Sequence, residues 1–283
     1  MNMLMMELAN LVSAAGLTPS KADRTQVSAA VKALAQSYQA GIVGQSRNAK
    51  MAIPAASASA TYTADELIVA SALGGLRYCL PSLNQTINLA ADMDTGSAPA
   101  NGTVAVYMMY NPTANTKKLL GFNATSVTPG QVYSGSNAPA GYTASALVAI
   151  LQTNSLGQFK AAYVSGRRVS HASLSVLNTA SAAASGTALD ISPVVPKGAN
   201  SVSGYIVTSN STNGDSTNTV AIGVDSVMNG AKTFQPRLTS ANGWSMAFSF
   251  ENLALSVSQT LFYATTASVG SPNYQIAISG YEF

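Results

Sequence analysis

The residue types able to carry chemistry are sparse in this chain, so each can be weighed singly. The one histidine, His171, follows two adjacent arginines, Arg167 and Arg168. A Ser-His-Asp relay would have to run through that imidazole, with Asp190 or a more distant acid as its orienter. No G-x-S-x-G elbow presents a serine for it to activate. A histidine at a strand end beside serines is the simpler reading. Asp92-Met93-Asp94-Thr95-Gly96 has the outline of a calcium loop, but its twelfth position is Thr103, where a bidentate glutamate belongs. A turn before a strand is expected there instead. One histidine and one cysteine cannot make the usual zinc sets, and neither GxxxxGK[ST] nor GxGxxG occurs. The eleven acids are thinly spread, with Asp65-Glu66 the only adjacent pair, so a glycosidase carboxylate pair would have to be assembled in space. The expectation is a chain with no catalytic residue, no metal and no cofactor.

Composition bounds the classes that remain. Charged residues are 9% of the 283, against about 25% in an average soluble protein. Ala, Ser, Thr, Gly and Asn fill the shortfall, which suits a surface covered by copies of the same chain or built into an assembly. The net charge of +3 is uneven: up to Tyr62, five bases (Lys21, Arg24, Lys32, Arg47, Lys50) meet Glu7 and Asp23, and afterwards nine bases meet nine acids. Five dispersed bases make no dense patch, so no nucleic-acid partner is expected. A single cysteine, Cys79, rules out an intramolecular disulfide. It lies in the string Leu76–Leu80, where a small buried residue is expected. The opening MNMLMMEL lacks a basic n-region and is interrupted by Glu7, which argues against a secretory signal. Leu119–Phe159 carries no charge, yet Pro129, Pro139 and many Asn, Gly and Thr argue against a membrane span. A soluble protein made in the cytosol, with no membrane insertion, is expected.

The elements that would position these groups follow from periodicity. Leu4, Leu8, Leu11 and Val12 have helical spacing, and Gly16 is a natural stop. Asp23 and Gln26 have the spacing of a capping box for a second helix. Val27, Val31, Leu34 and Tyr38 then form its stripe, and Gly41 ends it. Two short helices with narrow stripes need partners. Ile53–Thr63 reads as a linker. From about Leu67 the period becomes two. Thr103–Tyr110 reads as a strand, and Tyr142–Gln152 and Gln158–Val164 as two paired strands flanking the turn Asn154–Gly157. After an Ala/Ser-rich passage, Thr179–Thr187, alternation resumes at Trp244–Phe250, Leu253–Val257 and Tyr274–Ile278. The fold class expected is mainly β, with antiparallel β-sandwich domains and a short α-helical N-terminal region. The domains are placed at 1–60 (helices and linker), 61–175 and 176–283.

GTVAVYMMYNPTANTKKLLGF, followed by Asn137–His171, resembles a module that recurs in tail fibre and other virion proteins of tailed bacteriophages. The matching residues are Pro139, Gly141, Tyr142, Thr143, Gly157, Phe159, Gly166 and Arg167. The continuation Leu189–Tyr205 is similar to the passage that follows in that module. The leader, through Ala15, Gly16, Thr18, Pro19, Asp23, Thr25 and Gln26, resembles the helical start of such fibres. The matches cover about two-thirds of the chain, each short and rich in turn residues, and their order carries the resemblance. It implies a homotrimer in the virion tail, with an N-terminal attachment region and β domains facing outward. The long β-helix that carries depolymerase sites in large tailspikes is missing from the pattern.

The expected function is therefore a non-enzymatic tail fibre that touches a host surface glycan or protein. The alternatives are a decoration or connector protein that binds no receptor, or a small glycan hydrolase or esterase. Docking to other phage tail proteins is assigned to Leu4, Leu8, Leu11, Val27, Val31 and Leu34. Receptor contact is assigned to Tyr133, Tyr142 and Trp244, because rings stack on sugars. Arg167 and Arg168 are assigned to inter-chain contact.

Overall fold

The computed structural model describes residues 3–37, 41–212 and 214–283. Tyr38, placed by periodicity on the second helical stripe, lies outside them. Two helices come first, α1 (Met3–Ala14) and α2 (Gln26–Ser37). They pack on one another through Val12 and Ala30, both buried. Gly16, at φ 74°, ends the α1 segment as its composition implies. The cap of α2 differs from the expected box. Asp23 turns to the Thr25 amide, at 2.7 Å, and the Gln26 amide group reaches back past it to the Ser20 backbone. The Thr25 hydroxyl, followed by its amide, holds the Asp23 carboxyl below its ordinary pKa. The Gln26 backbone amide adds weakly to the same effect, as a cap would, while the glutamine side chain takes a more distant partner. Among the described residues no helix is long and apolar enough to cross a membrane.

Strands β1 (Ser46–Arg47), β2 (Lys50–Ile53), β3 (Ser59–Ala70) and β4 (Arg77–Asn88) follow. The expected linker, Ile53–Thr63, therefore holds the end of β2 and the start of β3, because Ala60 and Tyr62 bury one face of that low-complexity run. Next come β5 (Thr103–Asn111), β6 (Thr116–Asn123), β7 (Ala144–Gln152), β8 (Ala162–Ser165) and β9 (Arg168–Thr179). The chain continues with β10 (Ala183–Asp190), β11 (Ser201–Asn210), β12 (Gly214–Gly223), β13 (Lys232–Phe234) and β14 (Arg237–Ser240). It closes with β15 (Trp244–Ala254), β16 (Thr260–Ala267) and β17 (Pro272–Glu282). The fold is mainly β, its strands paired antiparallel.

One long sheet has the order β15-β11-β17-β9-β8-β2-β3-β7-β5-β6, with β1 and β4 also on β3. A second sheet, β10-β16-β12-β13 with β14 on β12, lies against its C-terminal part. That arrangement is consistent with a β-sandwich. The paired strands expected on either side of Asn154–Gly157 do not form as such. Thr153 bridges Phe159, and the chain then departs, so that β8 pairs with β2 and β9 while β7 pairs with β5. β7 is buried along eight successive residues, Ala144–Leu151, and the equally buried stretch Thr103–Met109 of β5 lies beside it. The Ala/Ser-rich passage contributes the start of β10, and β9 runs across residue 175. One hydrophobic core continues from Tyr62 and Met108 through Ile150 and Tyr281 to Ile276 and Val220.

Where the second sheet meets the first, the contact is polar and satisfied. Asn218 donates to the Thr208 hydroxyl and the Ser209 carbonyl, both at 2.8 Å. Asn210 donates to Asn218 Oδ1 at 3.1 Å and to the Val269 carbonyl at 2.9 Å. Both asparagines are buried. Asn218→Ala takes one of Asn210's two acceptors away and removes the donor to the buried Thr208 hydroxyl, and a cost of about 2–3 kcal/mol is expected. Urea unfolding should show a lower midpoint with an unchanged slope.

Candidate functional site

The residues singled out for chemistry lie on or beside the tight β8–β9 hairpin, whose Gly166 turns at φ 59°. Immediately after it, Arg167 and Arg168 diverge. The Arg167 guanidinium stacks 4.4 Å from the centre of the Phe283 ring and donates through Nε to the Phe283 backbone oxygen. The Arg167 carbonyl accepts the Phe283 amide at 3.3 Å. Burial lowers the arginine's pKa, and the nearby Tyr62 opposes that. Burial in turn pushes the Tyr62 phenol up to about 12. At Gly44 (φ +83) a β-carbon would sit 3.2 Å from Arg167 Nη1, so this turn is a place where glycine is required. Arg168 points elsewhere and pairs with Glu251 at 3.7 Å, both partners well exposed. An exposed pair of that kind contributes little.

His171 lies on β9, beside a cavity of about 220 Å³ lined largely by Leu151, Ala162, Val169, Leu174 and Tyr281. Its Nδ1 is 2.8 Å from the Ala172 carbonyl. A carbonyl only accepts, so Nδ1 carries the proton and the lone pair is on Nε2. Nε2 is enclosed and has no partner. Asp190 is not its orienter, for that carboxylate accepts the Ser192 amide at 2.8 Å. Burial, foremost, and the Lys160 ammonium lower the imidazole pKa, against the pull of the Ala172 carbonyl. An imidazole so placed is a neutral wedge between β9 and the Tyr281 ring, whose centre is 6.0 Å away.

The other sequence candidates are scattered. Asp92 accepts the Asn88 amide and pairs with Lys118 at 3.4 Å. Asp94 accepts the Tyr133 hydroxyl at 3.1 Å. Tyr133 packs edge-on to Tyr107 and Phe122, and Tyr142 leads into β7. Both are half-buried against the core. Trp244 opens β15, and its indole N–H donates to buried Ser216 at 2.8 Å, tying the two sheets together. The three rings thus form no single platform. Cys79 is exposed rather than buried, because its neighbours Tyr78 and Leu80 bracket the outward position of β4. Its thiol lies 2.8 Å from Glu66, and burial, then that carboxylate, raises its pKa to about 11. On the helices Leu4, Leu8 and Val31 are exposed, while Leu11, Val27 and Leu34 are half-buried.

Two residues of this region escaped sequence reasoning, Lys160 and Tyr281. Tyr281 donates to the Ile150 carbonyl at 2.7 Å across 131 residues, a separation that leaves no local trace.

No family model and no curated protein matches the chain. Among solved structures, the infectious bursal disease virus Gx strain is 8% identical, over 86% of this chain and 78% of that one, with a TM-score of 0.17. A likeness at that level carries no argument.

Two outcomes follow from the geometry. Arg167→Ala should cost about 2–3 kcal/mol of unfolding free energy, and Arg167→Lys should recover little, since the planar stack is lost. For His171, the folded pKa lies below the ordinary 6.5, so the unfolded chain takes up the proton first as pH falls. Its contribution to stability is complete above 6.5 and declines below it. The advantage of wild type over His171→Gln, read by urea unfolding at a series of pH values, should shrink on the acid side.

Proposed function

We propose that this chain is a structural, non-catalytic virion protein of a tailed bacteriophage, a tail fibre with a β-sandwich body. Its helical leader docks on other tail proteins, and its β domains face the host surface. The observation that carries this reading is the contrast between the two parts. The β body has a continuous core, whereas α1 leaves Met3, Leu4, Met5, Met6 and Leu8 exposed by 39–79%. A helix apolar on most of its circumference belongs in an interface. The resemblance of the Pro139–Thr143 turn and of the leader to phage fibre modules supports the same assignment. So does the commitment of Arg167 and His171 to packing rather than to a reacting centre. A homotrimer follows from the same resemblance and from the charge-poor surface.

Purified chain should bind host cells and block phage adsorption, and antibody against it should label the tail. Leu8→Asp, on an exposed position, should leave the β fold intact by circular dichroism while reducing incorporation into particles at least about tenfold. Light scattering should give three chains of 28.9 kDa or a whole multiple of three. Failure to bind cells or to label particles would remove the fibre reading, and a connector without receptor contact would label the tail yet leave adsorption unaffected.

A further inference from the structure

Sheet edges are where β proteins meet other chains, and natural edges are usually blunted by lysine, proline or bulges. Most edges here are treated in that way. β6 carries Lys117 and Lys118, and β4 carries Pro81. β13 and β14 carry Lys232 and Arg237 with Pro236 between them. β10 is broken by a register shift at Gly186, whose φ is 76°. The exception is β15 over its first seven residues, since its own register shift and Asn252, at φ 52°, come only after Phe250. It pairs with β11 on one side, and among the described residues no strand of the chain pairs with its other side. Its first seven residues, Trp244–Phe250, contain no charge, proline or glycine.

The sequence of that edge is also self-complementary. About Ala247 as centre, an antiparallel copy sets Met246 against Phe248, Ser245 against Ser249 and Trp244 against Phe250. Small hydroxylated residues meet on the outer face, where Ser245, Ala247 and Ser249 are all exposed. Large apolar residues meet on the other, where Met246 is 39% exposed in the single chain. Both kinds of cross-strand pair are favourable. The charge that follows, Glu251, is held by Arg168 and lies outside the matched span.

We propose that β15 is a two-fold interface between two copies of this chain, paired antiparallel about Ala247 so that the long sheet runs on from one copy into the other. Such a contact is isologous, the same patch on both partners. It adds to the fibre reading without resting on it. If three copies also gather, the closed result is two trimers face to face.

Position-specific cross-linking tests the register. In a Cys79→Ser background, Ala247→Cys places two thiols across the axis, at a separation that a disulfide spans. Mild oxidation should give a covalent pair of chains on a denaturing gel, at a rate at least about tenfold above that of an exposed control, Ser173→Cys. Equal rates, or no covalent pair at position 247, would overturn the proposal. A second measurement needs no cysteine. Ser245→Lys with Ser249→Lys sets like charges opposite one another and should halve the mass in solution, while Ser245→Lys with Ser249→Glu should restore it. A mass indifferent to these changes would also overturn it.

Discussion

The long sheet depends on the seating of β17. This strand lies between β11 and β9 and carries Tyr274, Ile276 and Ile278 into the core. Near its end, the Tyr281 hydroxyl reaches the Ile150 carbonyl and Phe283 lies under Arg167. Those two contacts join a strand made late to the β8–β9 hairpin and to strand β7, both made much earlier. They add to the other links between the segment from β2 to β7 and the segment from β9 to β17, among them Gln152 to the Pro193 carbonyl and Lys197 to the Ser126 carbonyl. Burial of three aromatic groups, Tyr62, Tyr281 and Phe283, at one junction is what makes the body continuous.

Two members of the most reactive-looking cluster in the sequence, Arg167 and His171, pack against the end of β17 at that junction. Arginine and histidine beside one another invite a chemical role, but each is absorbed by the packing of β17. The guanidinium caps a ring and a backbone oxygen. The imidazole donates its N–H to the next residue's carbonyl and keeps its lone pair enclosed.

Much of the β character was legible in the sequence, and the reasons for the exceptions are physical. Alternation located β15 and β17, and the apolar run Thr103–Met109 located β5, because burial on one face or both writes itself into spacing. Capping of α2 was only half readable, since Asp23 reaches the Gln26 amide weakly and Thr25 more strongly, while the Gln26 side chain turns to Ser20. Strand pairing was not readable. The string Gln158–Val164 reads as the partner of β7, but its length is divided between a single bridge and β8, and only the tertiary choice of β2 and β9 decides that. The candidate rings Tyr133, Tyr142 and Trp244 were found as aromatic residues, while their separation in space was invisible. Cys79 was misplaced because an apolar string does not say which of its members faces out.

The position of β17 has a consequence in time. The ribosome completes β9 and β11 long before it makes the strand that separates them, so the nascent chain holds two unmatched edges and an incomplete core meanwhile. The contacts that close the sheet are among the most distant in sequence, and such contacts form slowly. During synthesis the hazard is that β9 and β11 pair with each other, or with the same strands of a neighbouring chain on the same message. A sheet organised in this way rewards slow, well-separated translation of its last strands.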